Sequence, residues 1–332
     1  MAKWIPAVQS LRPVLDMYLD SSVAVVGCHS GDLARASCEL DILVVSRDAR
    51  PSASVKLGGT YMDLMFVTEK DVLKPRDPEN AVAIASARPV RDASMVLSTA
   101  TSAAAALLSD SCKKSSRRRL ASSLKSLGRA REASAKGRSA EADFWLLAAS
   151  YDFAVAMVYS RDAMPSPSHL FSQMKGMSGT SAEAFEAFFR GTGLLNASRA
   201  TCASRLDGIG VLRDLMTHRR PSQGQVQSPG EESFQIMKGK VTELGTRMEH
   251  AECFSFLGLE LVTSLLSIPS TEKGRRRSGA GLGPDVGSLV SGEGRLLGEM
   301  VETDLGLTRD KETVQSAASL LEKQISSLAK TV

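Results

Sequence analysis

Three carboxylates lie in or beside apolar segments in the first third of the chain. Glu39 and Asp41 are two residues apart in ELDILVVS, and Asp63 is in the middle of TYMDLMFV. Side chains at i and i+2 of a strand point to one face, so Glu39 and Asp41 should project together. If the second strand neighbours the first, all three carboxylates converge. Such a cluster needs cations or protons to neutralise it, and its oxygen ligands suit Mg²⁺ or Mn²⁺.

A glycine-rich turn precedes this predicted strand. Gly27 ends the apolar run VAVVG, and Ser30 and Gly31 open a short predicted helix. Free backbone N–H groups at a helix start, together with serine hydroxyls, can hold phosphate oxygens. Two carboxylate-bound metal ions about 4 Å apart can clamp the attacking and leaving oxygens of a phosphoryl or nucleotidyl transfer. The turn and the carboxylates together are what a nucleoside triphosphate with its metal ions requires.

The order of these motifs resembles the nucleotidyltransferase (DNA polymerase β-like) superfamily, in particular its minimal nucleotidyltransferases. The resemblance rests on Val26-Gly27-Cys28, Glu39-Leu40-Asp41-Ile42 and Asp63, and it covers residues 5–110. It implies that Glu39, Asp41 and Asp63 are the catalytic residues and the metal ligands, with Asp63 helping to deprotonate an acceptor hydroxyl. Two positions depart from the family pattern, since Cys28 replaces the usual Ser or Gly and Glu39 replaces the usual Asp.

The same resemblance implies an activity and its ligands. The protein would transfer a nucleoside monophosphate from a nucleoside triphosphate to a hydroxyl acceptor, with Mg²⁺ or Mn²⁺ as cofactor. The triphosphate contacts would be Gly27, Cys28, Ser30 and Arg35. The acceptor stays open among a small molecule, a protein side chain and an RNA end. A non-catalytic nucleotide-binding or interaction protein with the same fold is the alternative.

The elements that must position these residues change in character near residue 115. The first part combines an opening amphipathic helix, four strand-like apolar runs and further helices, which predicts an α+β domain with a small mixed sheet. The later part carries helical patterns without strand signals, which predicts an all-α bundle. The expected division is a nucleotidyltransferase-like domain, a helical bundle, a Gly/Ser/Arg-rich linker and a short helical tail, at residues 1–110, 111–270, 271–290 and 291–332.

The helical half suggests a HEPN-like domain, because minimal nucleotidyltransferases often occur with domains of that type. Arg213 and His218 fit the spacing of the HEPN ribonuclease motif, with His as acid or base and Arg stabilising developing charge. Residues five apart on a regular helix do not share a face well, and a cationic helix C-terminus also explains the pair. A HEPN-type ribonuclease or a toxin–antitoxin-like protein is therefore a further alternative.

The positive charge is concentrated in one segment. The chain carries 41 basic and 37 acidic residues, and the +4 net charge is too small to indicate nucleic-acid binding by itself. Residues 111–139, however, hold ten basic residues and one acidic residue. This segment is either a solvated helix face, a positive wall beside the nucleotide site, or a contact for an acidic or RNA substrate.

The cysteine pattern and the hydropathy predict the cellular compartment of the protein. The five cysteines form no CxxC motif, which argues against a disulfide framework or a structural zinc site. The N-terminal residues lack a signal-peptide core, and the longest late apolar run is too short for a bilayer span. We expect a reduced, soluble, cytoplasmic protein without membrane contact, for which a homodimer is one option.

Overall fold

The computed structural model describes eight ranges of the chain: residues 11–31, 33–48, 50–57, 59–92, 94–177, 182–218, 231–266 and 305–332, with the backbone alone at 215–218. The chain divides into two units. The first takes Met1–Ser116, Val158–Ser166 and Gly230–Glu243, and the second takes Arg117–Met157, Pro167–Pro229 and Leu244–Val332. The expected linker at 271–290 lies outside the described residues, and the four expected domain ranges stay predictions.

The first unit is built on a five-stranded mixed sheet. Its strands, in the spatial order β3-β4-β2-β1-β5, are β1 (Ser22–Val26), β2 (Leu40–Ser46), β3 (Ala53–Leu57), β4 (Thr60–Thr68) and β5 (Arg88–Arg91). Strands β2 and β4 pair in parallel, and the other neighbours pair antiparallel. The expected α+β class with a small mixed sheet is confirmed.

Helices cover both faces of this sheet. They are α1 (Arg12–Met17), α2 (Glu69–Leu73), α3 (Pro78–Ala85) and α4 (Val96–Ala106). Because strand side chains alternate between faces, Leu40, Ile42 and Val44 of β2 pack with α1, whereas Leu43 packs in the core that includes residues of α2, α3 and α4. Asp41 therefore emerges from the Leu43 face of a strand that is buried on both sides.

The remaining regular elements of the described residues are helices. The helices are α5 (Leu108–Ala135), α6 (Ser139–Tyr159), α7 (Leu170–Gly176), α8 (Ala182–Thr192), α9 (Arg199–His218), α10 (Glu231–Thr246), α11 (His250–Leu266) and α12 (Lys311–Ala329). This agrees with the helical region expected after the sheet. Across the described ranges, no helix is both long enough and apolar enough to cross a membrane.

Candidate active site

The three predicted carboxylates lie together in the first unit. Asp41 of β2 and Asp63 of β4 are direct partners in the parallel register, so their side chains leave adjacent strands at the same level. Glu39 precedes the first residue of β2 by one position, yet its carboxylate joins the other two. One oxygen of each group lies within 4.8 Å of the others. The convergence expected from the spacing is thus observed.

Burial makes this cluster electrostatically costly. Desolvation raises the pKa of Asp41 well above its usual range, and the nearby Glu39 and Asp63 carboxylates raise it further. Desolvation also raises the pKa of Asp63, against the opposing effect of a hydrogen bond from Ser54. The Oδ1 atom of Asp63 is buried without a hydrogen-bond partner. Protons or cations would relieve this accumulation of negative charge.

A lysine that the sequence did not single out completes the cluster. The ammonium of Lys240 on α10 lies 2.9 Å from Oε1 and 2.6 Å from Oε2 of Glu39. Its side chain is only 8% exposed. The same helix contacts the segment before β2, where the Ser37 N–H donates to Glu243 Oε2 at 2.8 Å. Lys240 is 201 residues away from Glu39 along the chain, so no local spacing could have indicated the contact.

Gly27 brings the turn after β1 against the carboxylate strand. Its φ of +67° lies in the left-handed region, and a Cβ there would come within 2.0 Å of Asp41 Oδ2. Both the conformation and the close approach therefore require glycine. The paired strands explain the approach, because Val26 at the end of β1 is the register partner of Asp41.

The turn itself differs from the expected start of a helix. Residues Gly27–Ser30 form one short 3-10 turn, and the described residues 33–39 before β2 form no helix. The Ser30 hydroxyl donates to the Gly27 carbonyl at 2.8 Å, so its hydrogen is used within the turn. Cys28 is buried, and a hydrogen bond with Cys38, together with burial, raises the pKa of its thiol. The Arg35 N–H donates to Cys38 Sγ at 3.4 Å. That Gly27, Cys28, Ser30 and Arg35 bind a triphosphate stays a prediction.

The predicted ribonuclease pair gains no support from the described residues. The Arg213 guanidinium donates to the carboxylate of the adjacent Asp214, with its nearest nitrogen 2.9 Å away. The side chain of His218 lies outside the described residues. Whether the two residues act together therefore stays a prediction.

Several basic residues of α5 have structural partners. Arg119 pairs with Asp152 at 3.0 Å, and Arg131 pairs with Glu322 at 2.6 Å. The Arg129 guanidinium lies 4.4 Å from the centre of the Trp145 ring. The exposed basic residues of this helix are Lys113, Lys114, Arg117, Arg118, Lys125 and Arg131. Arg119, Arg129 and Arg131 thus make contacts within the helical region.

The donor set at the carboxylate cluster fits a hard divalent cation. It offers oxygen atoms only, it carries more negative than positive charge, and it contains a buried acceptor without a partner at Asp63 Oδ1. Mg²⁺ and Mn²⁺ are bound by oxygen ligands of this kind. Glu39, Asp41 and Asp63 are therefore the residues that could hold a metal ion.

Comparisons with known proteins find similar solved structures but no family. No known family matches the chain, and no curated protein matches it. The solved structure of a nucleotidyltransferase-like protein from Exiguobacterium sibiricum is similar over 83% of this chain and 97% of that chain, with 15% sequence identity and a TM-score of 0.35. At this TM-score the likeness carries no argument of its own, and the geometry of the carboxylate cluster must carry any conclusion about function.

Proposed function

We propose that the protein is a metal-dependent nucleotidyltransferase. It would transfer a nucleoside monophosphate from a nucleoside triphosphate to the hydroxyl of a small molecule, a protein or an RNA, and release pyrophosphate. This proposal rests on two observations. The carboxylates of Glu39, Asp41 and Asp63 converge, and the Gly27 backbone lies directly against the Asp41 carboxylate. These features supply a cation site and a backbone turn beside it, which are the two parts that a bound triphosphate needs.

Each residue has a distinct part in this proposal. Glu39, Asp41 and Asp63 hold the divalent cation, which when bound supplies charge stabilisation at the transferred phosphoryl group. Asp63 would also accept the proton of the acceptor hydroxyl, because its buried Oδ1 makes no hydrogen bond. The backbone of Gly27 and Cys28 would contact the phosphates. Gly27 has no side chain that would keep the phosphates away from its backbone.

The test combines metal binding with turnover. Asp41→Asn keeps the size of the side chain but replaces a charged ligand by a neutral amide, which is a poor ligand for a hard cation. We expect it to abolish Mn²⁺ binding measured by calorimetry, and to lower pyrophosphate release from nucleoside triphosphates by at least about 100-fold. Asp48→Asn is the matched control, because Asp48 is an exposed carboxylate just beyond the end of β2.

The same experiment can reject the proposal. A wild-type protein that binds no Mn²⁺ and releases no pyrophosphate from any common nucleoside triphosphate would contradict it. Cleavage of a generic RNA, run in parallel, would support the ribonuclease alternative if Arg213→Ala abolished it while Asp41→Asn did not.

One observation favours a second candidate, a non-catalytic nucleotide-binding protein. The Lys240 ammonium already neutralises Glu39, so the resting cluster can persist without a metal ion. Under this alternative, a nucleoside triphosphate would bind in calorimetry with the same affinity in EDTA as in Mg²⁺. No pyrophosphate would be released in either solution.

A further inference from the structure

Lys240 contacts the same Glu39 carboxylate that a metal ion bound to the cluster would use. Its ammonium lies within hydrogen-bond distance of both Glu39 oxygens, at 2.9 and 2.6 Å. One oxygen of Glu39 belongs to the group of oxygens that converge with those of Asp41 and Asp63. A divalent cation shared by the three carboxylates would therefore come close to a positive charge that is itself almost completely buried.

The resting protein needs this lysine. Three carboxylates gathered at a largely buried place repel one another, and an unpaired buried charge is strongly destabilising. Lys240 supplies the compensating positive charge from the interior side of α10, where only 6% of the residue is exposed. Once a divalent cation is bound, the carboxylates have another source of positive charge, and the ammonium and the cation repel each other through a poorly screening interior.

We propose that Lys240 is the resident counter-cation of Glu39 and competes with the divalent cation for that carboxylate. Metal binding displaces the ammonium from Glu39, so Lys240 sets the metal affinity of the site. Lys240 is thus a positioning residue, which acts through Glu39. This inference rests on the proposed function, because it takes the cluster to be a metal site.

Metal affinity without nucleotide tests the competition directly. We expect Lys240→Met to lower the Mn²⁺ dissociation constant, measured by calorimetry or by electron paramagnetic resonance, by about tenfold or more, because the competing charge is gone. Lys238→Met is the matched control. It removes the same charge from the same helix, but Lys238 is exposed and its ammonium lies 4.6 Å from the centre of the Phe234 ring. An unchanged or weaker affinity in Lys240→Met would overturn the proposal.

A second measurement uses the wild-type chain, because Lys240→Met leaves the carboxylates uncompensated and can fail to fold without metal. Reductive methylation followed by mass spectrometry reports how accessible each lysine amine is. We expect Mn²⁺ to increase the labelling rate of Lys240 several-fold and to leave Lys238 unchanged. Asp41→Asn should abolish the increase. A Lys240 rate that stays constant or falls when Mn²⁺ binds would contradict displacement.

The outcomes separate this inference from the function on which it rests. Binding of Mn²⁺ that depends on Asp41, without tighter binding in Lys240→Met and without faster labelling of Lys240, would reject the competition and leave the metal site standing. Absence of any Mn²⁺ binding in the wild type and in Lys240→Met would reject both.

Discussion

Gly27 brings the turn after β1 against the strand that carries Asp41 through a single backbone position. Its φ of +67° is one that residues with a side chain rarely adopt, and Asp41 Oδ2 occupies the space where a Cβ would stand. The closeness is useful to the proposed function, because a backbone without a side chain lets the phosphates of a bound nucleotide lie near the carboxylates. Glycine is therefore a requirement of the site as well as of the turn.

Substitution of Gly27 by alanine should damage both stability and metal binding. The Cβ must displace the Asp41 carboxylate, and the left-handed conformation itself costs about 1 kcal/mol or more. We expect a lower urea midpoint and at least about tenfold weaker Mn²⁺ binding. Gly59→Ala is the control, since Gly59 has a φ of +84° but no atom near the position of its Cβ. Equal losses in both variants would assign the whole effect to backbone strain.

The sequence patterns identified the three acidic residues of the site but not Lys240, for a physical reason. The i, i+2 spacing of Glu39 and Asp41 reports a shared strand face, and the next apolar run placed Asp63 one strand away. These are local patterns. The contact between Lys240 and Glu39 depends on the packing of α10 in the first unit, and a single lysine in a helical pattern carries no mark of such a partner.

At the scale of elements, Asp92 fixes the start of α4 from outside the helix. Its carboxylate accepts hydrogen bonds from the backbone N–H groups of Leu97 and Ser98 and from the Ser22 hydroxyl of β1. The N-cap residue itself, Met95, supplies no capping side chain and has a φ of 56°. Asp92 thus satisfies N–H groups that the helix end leaves open and links the helix to the sheet.

Removal of the Asp92 carboxylate should lower the free energy of unfolding by an amount that depends on pH. Partial burial opposes ionisation of Asp92, but the hydrogen bonds from Ser98, Leu97 and Ser22 outweigh it and lower its pKa. A lowered pKa in the folded state means that the stabilisation is complete above the ordinary aspartate pKa and is lost as the pH falls through the lowered value. We expect Asp92→Ala to reduce the free energy of unfolding by about 1 kcal/mol at neutral pH.

Urea titrations of Asp92→Ala and the wild type, from neutral pH to about pH 3, measure this effect. The difference between the two proteins should shrink toward the acid end, because the wild-type carboxylate becomes protonated. Asp20→Ala, at an exposed aspartate, is the control and should change little at any pH. A difference that stays constant with pH would mean that the charge of Asp92 is not involved.

Four of the five strands, β1 to β4, were predictable, whereas the edge strand β5 and the form of the turn were not. The apolar runs before Gly27, around Ile42 and around Leu64 mark β1, β2 and β4, because strands buried on one or both faces need such side chains. Strand β5, Arg88–Arg91, has one apolar side chain besides a proline, which is tolerated because the strand lies at the edge of the sheet. The Gly27–Ser30 turn is shorter than the expected helix, and the described residues 33–39 before β2 form no helix.

For the whole molecule, the assignment of segments to units could not be read from the sequence. Val158–Ser166 and Gly230–Glu243 belong to the first unit, although both lie beyond the expected boundary at residue 110. Gly230–Glu243 has a helical pattern like that of the neighbouring helices, and pattern alone does not say which core a helix joins. The consequence is direct, because the second of these segments brings Lys240 to the carboxylate cluster.

A buried ion pair holds the last described segment to the second unit. The Arg309 Nε donates to Asp143 Oδ1 at 2.5 Å, and the Arg309 N–H donates to Oδ2 of the same carboxylate at 3.1 Å. The Asp143 side chain is completely buried. The guanidinium also donates to the carbonyls of Arg190 and Gly191 near the end of α8. Residues 305–310 are thus tied to α6 and α8 by charge-assisted hydrogen bonds.

This pair should dominate the stability of the second unit. Asp143→Asn leaves the Arg309 guanidinium without its counter-charge in a buried place, and loss of one partner of such a pair costs about 3–5 kcal/mol. We expect a correspondingly lower free energy of unfolding in urea, followed by circular dichroism. The exposed pair of Lys323 and Glu183 is the matched control, so Glu183→Gln should leave the midpoint almost unchanged because solvent screens that interaction.

The double variant Asp143→Leu with Arg309→Met should recover most of the stability lost in Asp143→Asn, since it removes both buried charges. A double variant as unstable as the single one would mean that losing the hydrogen bonds from Arg309 to the α8 carbonyls costs as much as leaving its charge unpaired.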